Sequence, residues 1–342
     1  MRKRFNVIQV GLGPMGQIIT RLLISRENIN LIGGVDMAPH LKGKRLSDIL
    51  NLPNSQDIIV ESDLSEILSC NQNIDVVIIA TASSLKKVVP LIKQAVEAGC
   101  NVISICEELS FPLKTHPKLS EELKELAIKN NVSIVGTGIN PGYLMDLLPI
   151  VLTAPCQHVK SIKVTRMMNS ARRREPFQRK IGTGLTPNEF RRKIQQKEIT
   201  GHVGLTESIH MIITALGLEF DELQEFPPED IIAEKEFITS YGEVVKKGDV
   251  CGLKSTAVAK KDENDLVSLD FLAYAGDHEE YDSVIIEGTP KIEQKLIGGV
   301  HGDLGTSAMV ANLIPKIYYA DPGLYTMIDL PVPCNTERIW KN

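Results

Sequence analysis

Three glycines near the start of the chain are spaced so that backbone amides stay available to an anion. They belong to the run Gly11, Leu12, Gly13, Pro14, Met15, Gly16. This GxGxxG pattern follows an apolar strand at residues 5–10 and opens a helix, and Asp36 stands 20 positions after Gly16 at the end of a second strand. Such glycines allow a tight turn, close approach of a pyrophosphate and close packing of helix on strand. The pattern predicts a dinucleotide whose phosphates meet the positive end of the helix, with Pro14 and Met15 in contact with it.

Asp36 indicates which dinucleotide binds. A carboxylate at this position accepts hydrogen bonds from the adenosine ribose hydroxyls, and its charge would repel a 2′-phosphate. NAD is therefore favoured over NADP, although Lys42 and Lys44 follow closely and keep NADP open as a cofactor. The alternative is a Gly-rich turn with only a structural role, and the surrounding strand, helix and acidic residue argue against it.

Two further strand ends carry residues suited to the nicotinamide half of the cofactor. Thr81 and Ala82 follow the apolar run 74–80 and could reach the nicotinamide ribose, although a helix N-cap at Ser83 or Ser84 explains the same segment equally well. Asn140 lies among the glycines of residues 136–143 and could bind the carboxamide or a substrate. A domain hinge is the competing interpretation of that segment.

Adjacent carboxylates mark a third strand end. Glu107 and Glu108 follow the strand at residues 101–105, where one of them could bind an ammonium group or act as a general base. The alternative is a solvated charge pair. Cys106, directly before them, is the best-placed nucleophile if the chemistry were acyl transfer.

The second half of the chain offers cations and histidines. Arg173, within the basic run 172–174, and Lys180 could hold a substrate carboxylate, although a charge run is usually a solvated face. His202 lies between glycines. His301 and Asp303 flank Gly302 at the start of a predicted helix. Glycine-flanked turns can present such side chains to a ligand.

The elements that must position these residues change character along the chain. Up to about residue 150, strands and helices alternate, which predicts an α/β fold with a Rossmann doubly wound parallel sheet. A second, α+β domain on a mixed or antiparallel sheet is predicted from alternating strands at 158–168, 230–238, 249–260, 266–275, 281–287 and 291–297, with a helix at 205–216. A further helix is predicted after it, at 303–318. The Pro-rich tail at 321–340 is expected to be irregular.

Composition excludes several classes of protein. The net charge of −5 offers no basic field for nucleic acid or an anionic membrane, and no apolar run is long enough to span a bilayer. The six cysteines form no CxxC pair, which predicts reduced thiols in a cytoplasmic protein. The histidines lack metal-ligand spacing, so we predict no metal.

Six segments together resemble the 2,4-diaminopentanoate dehydrogenase family, relatives of dihydrodipicolinate reductase. They are VGLGPMG at 10–16, ICEELSFP at 105–112, GTGINPGYLMDLLP at 136–149, KIGTGLTPNEF at 180–190, GHVGLTES at 201–208 and GGVHGDLGTSAMVAN at 298–312. The resemblance covers almost the whole chain. It implies oxidative deamination of 2,4-diaminopentanoate at C4 with NAD or NADP, giving 2-amino-4-oxopentanoate and ammonia, as in ornithine fermentation.

The reductase relatives also imply how the chain divides. Residues 1–138 with 302–342 are expected to form the dinucleotide-binding domain, and 139–301 a domain for substrate binding and dimerisation, in a homodimer. The His-rich motif of the reductase is missing here, because residues 169–180 contain arginines and no histidine. A diamino acid therefore suits this chain better than the reductase's dicarboxylate substrate.

The implied reaction needs a base and a charge clamp. Glu107, Glu108 or His301 is expected to be the base, and Arg173, Lys180 and Asn140 the clamp, with His202 and Asp303 also facing substrate. One alternative is another reductase or dehydrogenase of this group acting on an imine, aldehyde or semialdehyde, with Cys106 as nucleophile in the acylating case. The other is a non-catalytic NAD-binding protein.

Overall fold

The structure, a computed structural model, describes residues 3–52, 58–70, 73–173, 175–276 and 278–337. Arg174 of the predicted basic run and the end of the predicted irregular tail lie outside these ranges. The chain folds as two units, one formed by Met1–Tyr143 with His301–Asn342 and the other by Leu144–Val300. The roles predicted for the two domains stay predictions.

The first unit contains a seven-stranded parallel sheet with strand order β16-β6-β5-β4-β1-β2-β3. Its strands are β1 (Phe5–Val10), β2 (Ile29–Val35), β3 (Val60–Glu61), β4 (Val76–Ile79), β5 (Asn101–Ser104), β6 (Ser133–Gly136) and β16 (Gly323–Tyr325). Its helices are α1 (Pro14–Ser25), α2 (Leu46–Leu50), α3 (Leu64–Cys70), α4 (Leu85–Glu97), α5 (Pro112–Thr115), α6 (Pro117–Lys129) and α11 (Gly302–Tyr318). The predicted Rossmann fold is thereby confirmed.

Helices cover this sheet on both faces. All four residues of β4 are completely buried, which requires apolar neighbours above and below the sheet. Helix α1 packs against α11, and α4 packs against both α3 and α6. The order of the strands reverses between β1 and β4, so their carboxyl ends form the switch point at which such sheets bind ligands.

The second unit contains a mixed sheet of order β15-β14-β7-β13-β12-β8, with β9 also paired to β12. Its strands are β7 (His158–Asn169), β8 (Glu222–Glu225), β9 (Glu229–Ile232), β12 (Val250–Lys261), β13 (Asn264–Tyr274), β14 (Tyr281–Thr289) and β15 (Ile292–Ile297), and β10 (Phe237–Ile238) pairs separately with β11 (Val244–Val245). Its helices are α7 (Leu147–Leu152), α8 (Glu175–Lys180), α9 (Pro187–Gln195) and α10 (Leu205–Leu216). Among the neighbouring strand pairs described for this sheet, β7 with β13 is the parallel one, so the predicted mixed α+β domain is confirmed.

Several predicted boundaries were wrong. The strand expected at 230–238 is broken into β9 and β10, and β8 was missed. Helices α8 and α9 were also missed, because their mostly polar sequences contain few apolar residues from which a buried face could be recognised. Phe190 of α9 is nonetheless buried. The tail contains β16, whose three residues pair in parallel with β6. A strand this short carries too little periodicity to predict.

No helix among the described residues combines the length and apolar character needed to cross a membrane.

Candidate active site

The Gly-rich turn has the backbone geometry that its sequence predicts. Gly11 has φ +88°, and a Cβ there would overlap the carbonyl oxygen of Ala80 at the end of β4. A Cβ on Gly16 would overlap the carbonyl of Gly11, so the turn and α1 are in direct contact. Gly13 is the N-cap of α1, and a Cβ there would meet none of the described atoms within 4 Å. The turn therefore presents open space at Gly13, beside the start of the helix that carries Pro14 and Met15.

Asp36 is held by the same turn. Its Oδ2 accepts a hydrogen bond from the Leu12 amide at 2.6 Å, and its Oδ1 accepts one from the Ala38 amide at 2.8 Å. Each carboxylate oxygen can accept more than one hydrogen bond, so the group retains acceptor capacity. The side chain is half-buried at the end of β2. This is the geometry expected of a carboxylate that receives a ribose diol.

The turns after β4 and β5 are joined by three contacts. The Cys106 thiol donates to the Ser83 carbonyl at 3.0 Å, and the Glu108 amide donates to the same oxygen at 3.3 Å. The Glu108 carboxylate accepts from the Leu85 amide at 2.6 Å, at the first residue of α4. Thr81 and Ala82 lie in the first of these turns, and Thr81 also approaches Gly11.

Glu107 and Glu108 occupy neighbouring positions in the turn after β5. Glu108 stabilises the N-terminus of α4, and its Oε2 lies 3.5 Å from Nε2 of His116. Glu107 begins the short 3-10 turn Glu107–Leu109 and is partly exposed. The Glu108 carboxylate is therefore engaged by the backbone of α4.

Cys106 has the properties of a structural thiol. It is completely buried, and burial raises its pKa to about 12, with the nearby Glu107 and Glu108 acting in the same direction. The thiolate is the nucleophilic form, and almost none would be present near neutral pH. This environment argues against the acyl-transfer alternative.

Asn140 is the clearest unsatisfied polar group of the first unit. Both side-chain atoms, Oδ1 and Nδ2, are buried without a hydrogen-bond partner among the described residues, and the nearby Thr137 hydroxyl is in the same state. Buried amides almost always have partners. An amide with an unused donor and an unused acceptor complements a carboxamide, which is one of the two ligands predicted for Asn140, the other being the substrate.

The Asn140 segment lies beside the start of α11. The amide of Ile139 donates to the Thr306 hydroxyl at 3.2 Å. His301 is the exposed N-cap of α11, and Asp303 lies in its first turn. The carboxyl edge of the first unit thus gathers the Gly-rich turn, the two glutamates, Asn140 and the start of α11 along one side of the sheet.

The second unit contains a buried arginine that the motifs did not reveal. Arg166 on β7 is 3% exposed, and its Nη2 donates to the Val300 carbonyl at 2.8 Å. Its Nη1 lies 3.7 Å from Oδ1 of Asp282 and has no hydrogen-bond partner among the described residues. Burial lowers the pKa of Arg166, and burial raises that of Asp282. A buried guanidinium with an unused donor is well suited to an anion.

The residues that the sequence did predict in this unit, Arg173, Lys180 and His202, lie near Arg166 or near one another. The imidazole of His202 stacks on Phe271 with ring centroids 4.3 Å apart. Burial lowers the pKa of His202 to about 3, and the charges of Arg166 and Lys180 add to the effect. Arg173 similarly lowers the pKa of Arg166. The unit thus concentrates positive charge around a neutral imidazole, and we call Arg166, Arg173, Lys180 and His202 the cationic cluster.

The sequence of β7 contains a pattern from which the burial of Arg166 could have been predicted. Ile162, Val164 and Met168 are buried at alternate positions of β7, and Arg166 occupies the same face. A charged residue within a buried alternation needs a partner. Among the described residues, no three His, Cys, Asp or Glu side chains lie close enough together to hold a metal ion.

Comparisons with known proteins agree with this architecture. Residues 143–340 match the family described as the 2,4-diaminopentanoate dehydrogenase C-terminal domain, and residues 5–105 match the N-terminus of dihydrodipicolinate reductase. An amine dehydrogenase from Mycobacterium smegmatis has a similar structure, with a TM-score of 0.81 at 22% identity, over 99% of this chain and 97% of that one. At this identity the likeness shows the fold alone.

Two curated relatives extend over nearly the full length. An amine dehydrogenase of Streptomyces virginiae is 20% identical, covering 94% of this chain and 95% of the relative. The 2,4-diaminopentanoate dehydrogenase of Acetoanaerobium sticklandii is 35% identical over 341 residues, covering 97% of this chain and 94% of the relative. The predicted oxidoreductase class is confirmed, and the chain belongs to the 2,4-diaminopentanoate dehydrogenase family.

Proposed function

We propose that the protein oxidatively deaminates 2,4-diaminopentanoate at C4 with NAD, or less efficiently NADP, and releases 2-amino-4-oxopentanoate and ammonia. The observation that carries this proposal is the 35% identity, over nearly the whole chain, to a relative of that name. The open space at Gly13 supports binding of the cofactor, and the unused donor of Arg166 supports binding of the substrate carboxylate.

The first unit is suited to the cofactor. Gly11, Gly13 and Gly16 with the start of α1 would hold the pyrophosphate, and Asp36 the adenosine ribose. Thr81 and Ala82 would line the nicotinamide ribose, and Asn140 would pair with the carboxamide. When bound, the oxidised nicotinamide supplies the hydride acceptor.

Glu107 is our choice for the general base. The reacting ammonium must lose a proton before its nitrogen lone pair can assist loss of the C4 hydrogen as hydride, and water must then add to the resulting imine so that ammonia leaves and the ketone forms. A carboxylate can take the proton in both steps. Glu108 is less suited, because it already accepts from the Leu85 amide. His301 remains the second candidate, and Asp303 on the same helix turn could bind an ammonium group.

The second unit is suited to the carboxylate end of the substrate. Arg166 offers the unused Nη1 donor, and Arg173 and Lys180 add positive charge. His202 is neutral near pH 7 and can therefore donate or accept a hydrogen bond without adding charge. Simple amines lack the carboxylate that the cationic cluster would bind.

A spectrophotometric assay of reduced nicotinamide tests the proposal. The purified protein is given NAD and a panel containing 2,4-diaminopentanoate, butane-1,3-diamine, simple 2-amino acids, 2-hydroxy acids and aldehydes. We expect 2,4-diaminopentanoate to give the highest kcat/KM. Faster turnover of simple amines would make the protein a general amine dehydrogenase, and faster turnover of a hydroxy acid or an aldehyde would reject amine oxidation.

Asp36 is expected to determine the choice of cofactor. The Asp36→Ser variant loses the ribose acceptor and the charge that repels a 2′-phosphate. The ratio of kcat/KM for NADP over NAD should rise about 10-fold or more, because about 1.4 kcal/mol suffices. Asp36→Asn is the matched control, since it removes the charge but keeps an oxygen for the Leu12 amide. An unchanged ratio in both variants would mean that Asp36 only supports the turn.

We also propose that the protein is a cytoplasmic homodimer. All six cysteines are free thiols, as in reducing compartments. On the sheet face opposite Arg166, neighbouring strands align the partly buried side chains of Tyr281, Met167 and Leu272 in one row. A second copy of the chain could cover this apolar row.

The dimer proposal predicts the behaviour of a charged variant. Leu272→Glu places a carboxylate at one end of the row, where burial between two copies would be costly. Sedimentation velocity should give a dimer for the parent protein and a monomer for the variant, with circular dichroism unchanged. A monomeric parent, or a variant that still dimerises, would reject this interface.

A further inference from the structure

We infer that Glu108 positions Glu107: its carboxylate ties the turn that carries Glu107 to the start of α4, and it takes no proton itself. This inference rests on the proposed role of Glu107. The two residues are adjacent in sequence, and the Glu108 carboxylate is bound at the start of α4.

The start of α4 lacks a cap of its own. Its N-cap, Ser84, makes no side-chain capping hydrogen bond, and no acidic residue lies in the first turn of the helix. The first amides of a helix need acceptors, and a carboxylate is favoured there by the helix dipole. Glu108 supplies that acceptor from another loop, at 2.6 Å from the Leu85 amide.

The same turn is held on its other side by β6. Leu109 is completely buried, and a Cβ on Gly136 would overlap its carbonyl group. The turn therefore has little room to move toward β6. On the α4 side, the Cys106 thiol and the Glu108 amide donate to the Ser83 carbonyl, and the Glu108 carboxylate accepts from the Leu85 amide. Loss of the bond between Leu85 and the Glu108 carboxylate removes one of the three contacts on the α4 side, so the turn that carries Glu107 is loosened on that side while it stays packed against β6.

A small displacement of a catalytic group can reduce turnover strongly, because proton transfer depends on hydrogen-bond geometry. Glu108→Ala should therefore lower kcat by about 10- to 100-fold, while the Kd for NAD, measured by fluorescence, stays within two-fold. Glu108→Gln keeps an acceptor of the same length and should restore kcat to within about three-fold of the parent. Glu122→Gln is the matched control, because Glu122 pairs with Lys93 on the exposed side of α4 and should leave kcat unchanged.

A double-mutant cycle decides between a positioning role and a direct one. If Glu108 acts through Glu107, Glu108→Ala should change kcat by less than two-fold in the Glu107→Gln background. An equal loss in both backgrounds, a Glu108→Gln variant as slow as Glu108→Ala, or full activity of Glu108→Ala would each overturn the inference. Glu108→Met, which keeps the volume without the acceptor, replaces Glu108→Ala if that variant does not fold.

The proposed function fails separately from this inference. A Glu107→Gln variant with parental activity would reject Glu107 as the base. An inactive Glu107→Gln variant beside a fully active Glu108→Ala variant would reject only the positioning role.

Discussion

Replacing Glu107 by glutamine is expected to lower kcat by about 10²- to 10⁴-fold, which is the usual contribution of a general base. Glutamine keeps the size and hydrogen-bonding capacity of the side chain but cannot take a proton from the substrate ammonium. The Kd for NAD should stay within about two-fold, because the cofactor contacts proposed for the first unit do not include this side chain. Stopped-flow measurement of the first turnover would locate the loss in the chemical step.

The pH dependence of kcat/KM gives a second readout for the same variant. If Glu107 is the base, the fall in rate on the acidic side reports its protonation and should disappear in Glu107→Gln. Glu108→Gln, which changes the adjacent residue in the same way, should retain that limb. A Glu107→Gln variant within a few-fold of the parent would contradict the assignment, and His301→Asn would then be the next variant to measure.

Replacing Arg166 by methionine is expected to lower kcat/KM for 2,4-diaminopentanoate by about 100-fold, equivalent to about 2.7 kcal/mol. The reason is the loss of a buried charge-assisted contact with the substrate carboxylate. The loss should appear mainly in KM if that contact is equally strong in the bound substrate and in the transition state. Butane-1,3-diamine, which lacks the carboxylate, should be oxidised by parent and variant at similar rates.

Two controls separate binding from folding in this experiment. Lys163→Met changes a cation on the same strand but on the opposite face of the sheet, and should leave kcat/KM unchanged. Arg166→Met also leaves the buried Asp282 without its cation, so thermal unfolding is compared with the double variant that adds Asp282→Asn. Equal losses with the amino acid and the diamine would contradict a carboxylate role for Arg166.

The sequence was most informative where one backbone motif carries the function. The Gly-rich turn needs glycines for steric reasons that hold in any such fold, so Gly11, Gly16 and Asp36 could be placed from spacing alone. The parallel strands were also predictable, because burial on both faces requires continuous apolar runs such as β4. The second sheet was predictable in type but less so in its boundaries.

The sequence could not distinguish residues whose roles depend on distant neighbours. Glu107 and Glu108 look equivalent in the sequence, and the contact of Glu108 with Leu85, 23 positions away, becomes evident only in the structure. Arg166 was overlooked because its neighbours Asp282 and Val300 come from a strand and a loop more than 100 positions later. Asn140 was singled out by its glycines, but its two unused polar atoms become evident only when its surroundings are known.

Strand β16 has a consequence for the synthesis of the protein. Its partner β6 ends at Gly136, and about 190 residues must be translated before Gly323 can pair with it. At roughly 5–20 residues per second, the edge of β6 waits for about 10–40 s while the ribosome makes the remainder of the chain. Helix α11, which packs against α1, arrives equally late. The nascent nucleotide-binding sheet therefore exposes an unpaired edge and an apolar helix face during elongation, a period in which chaperones can bind it.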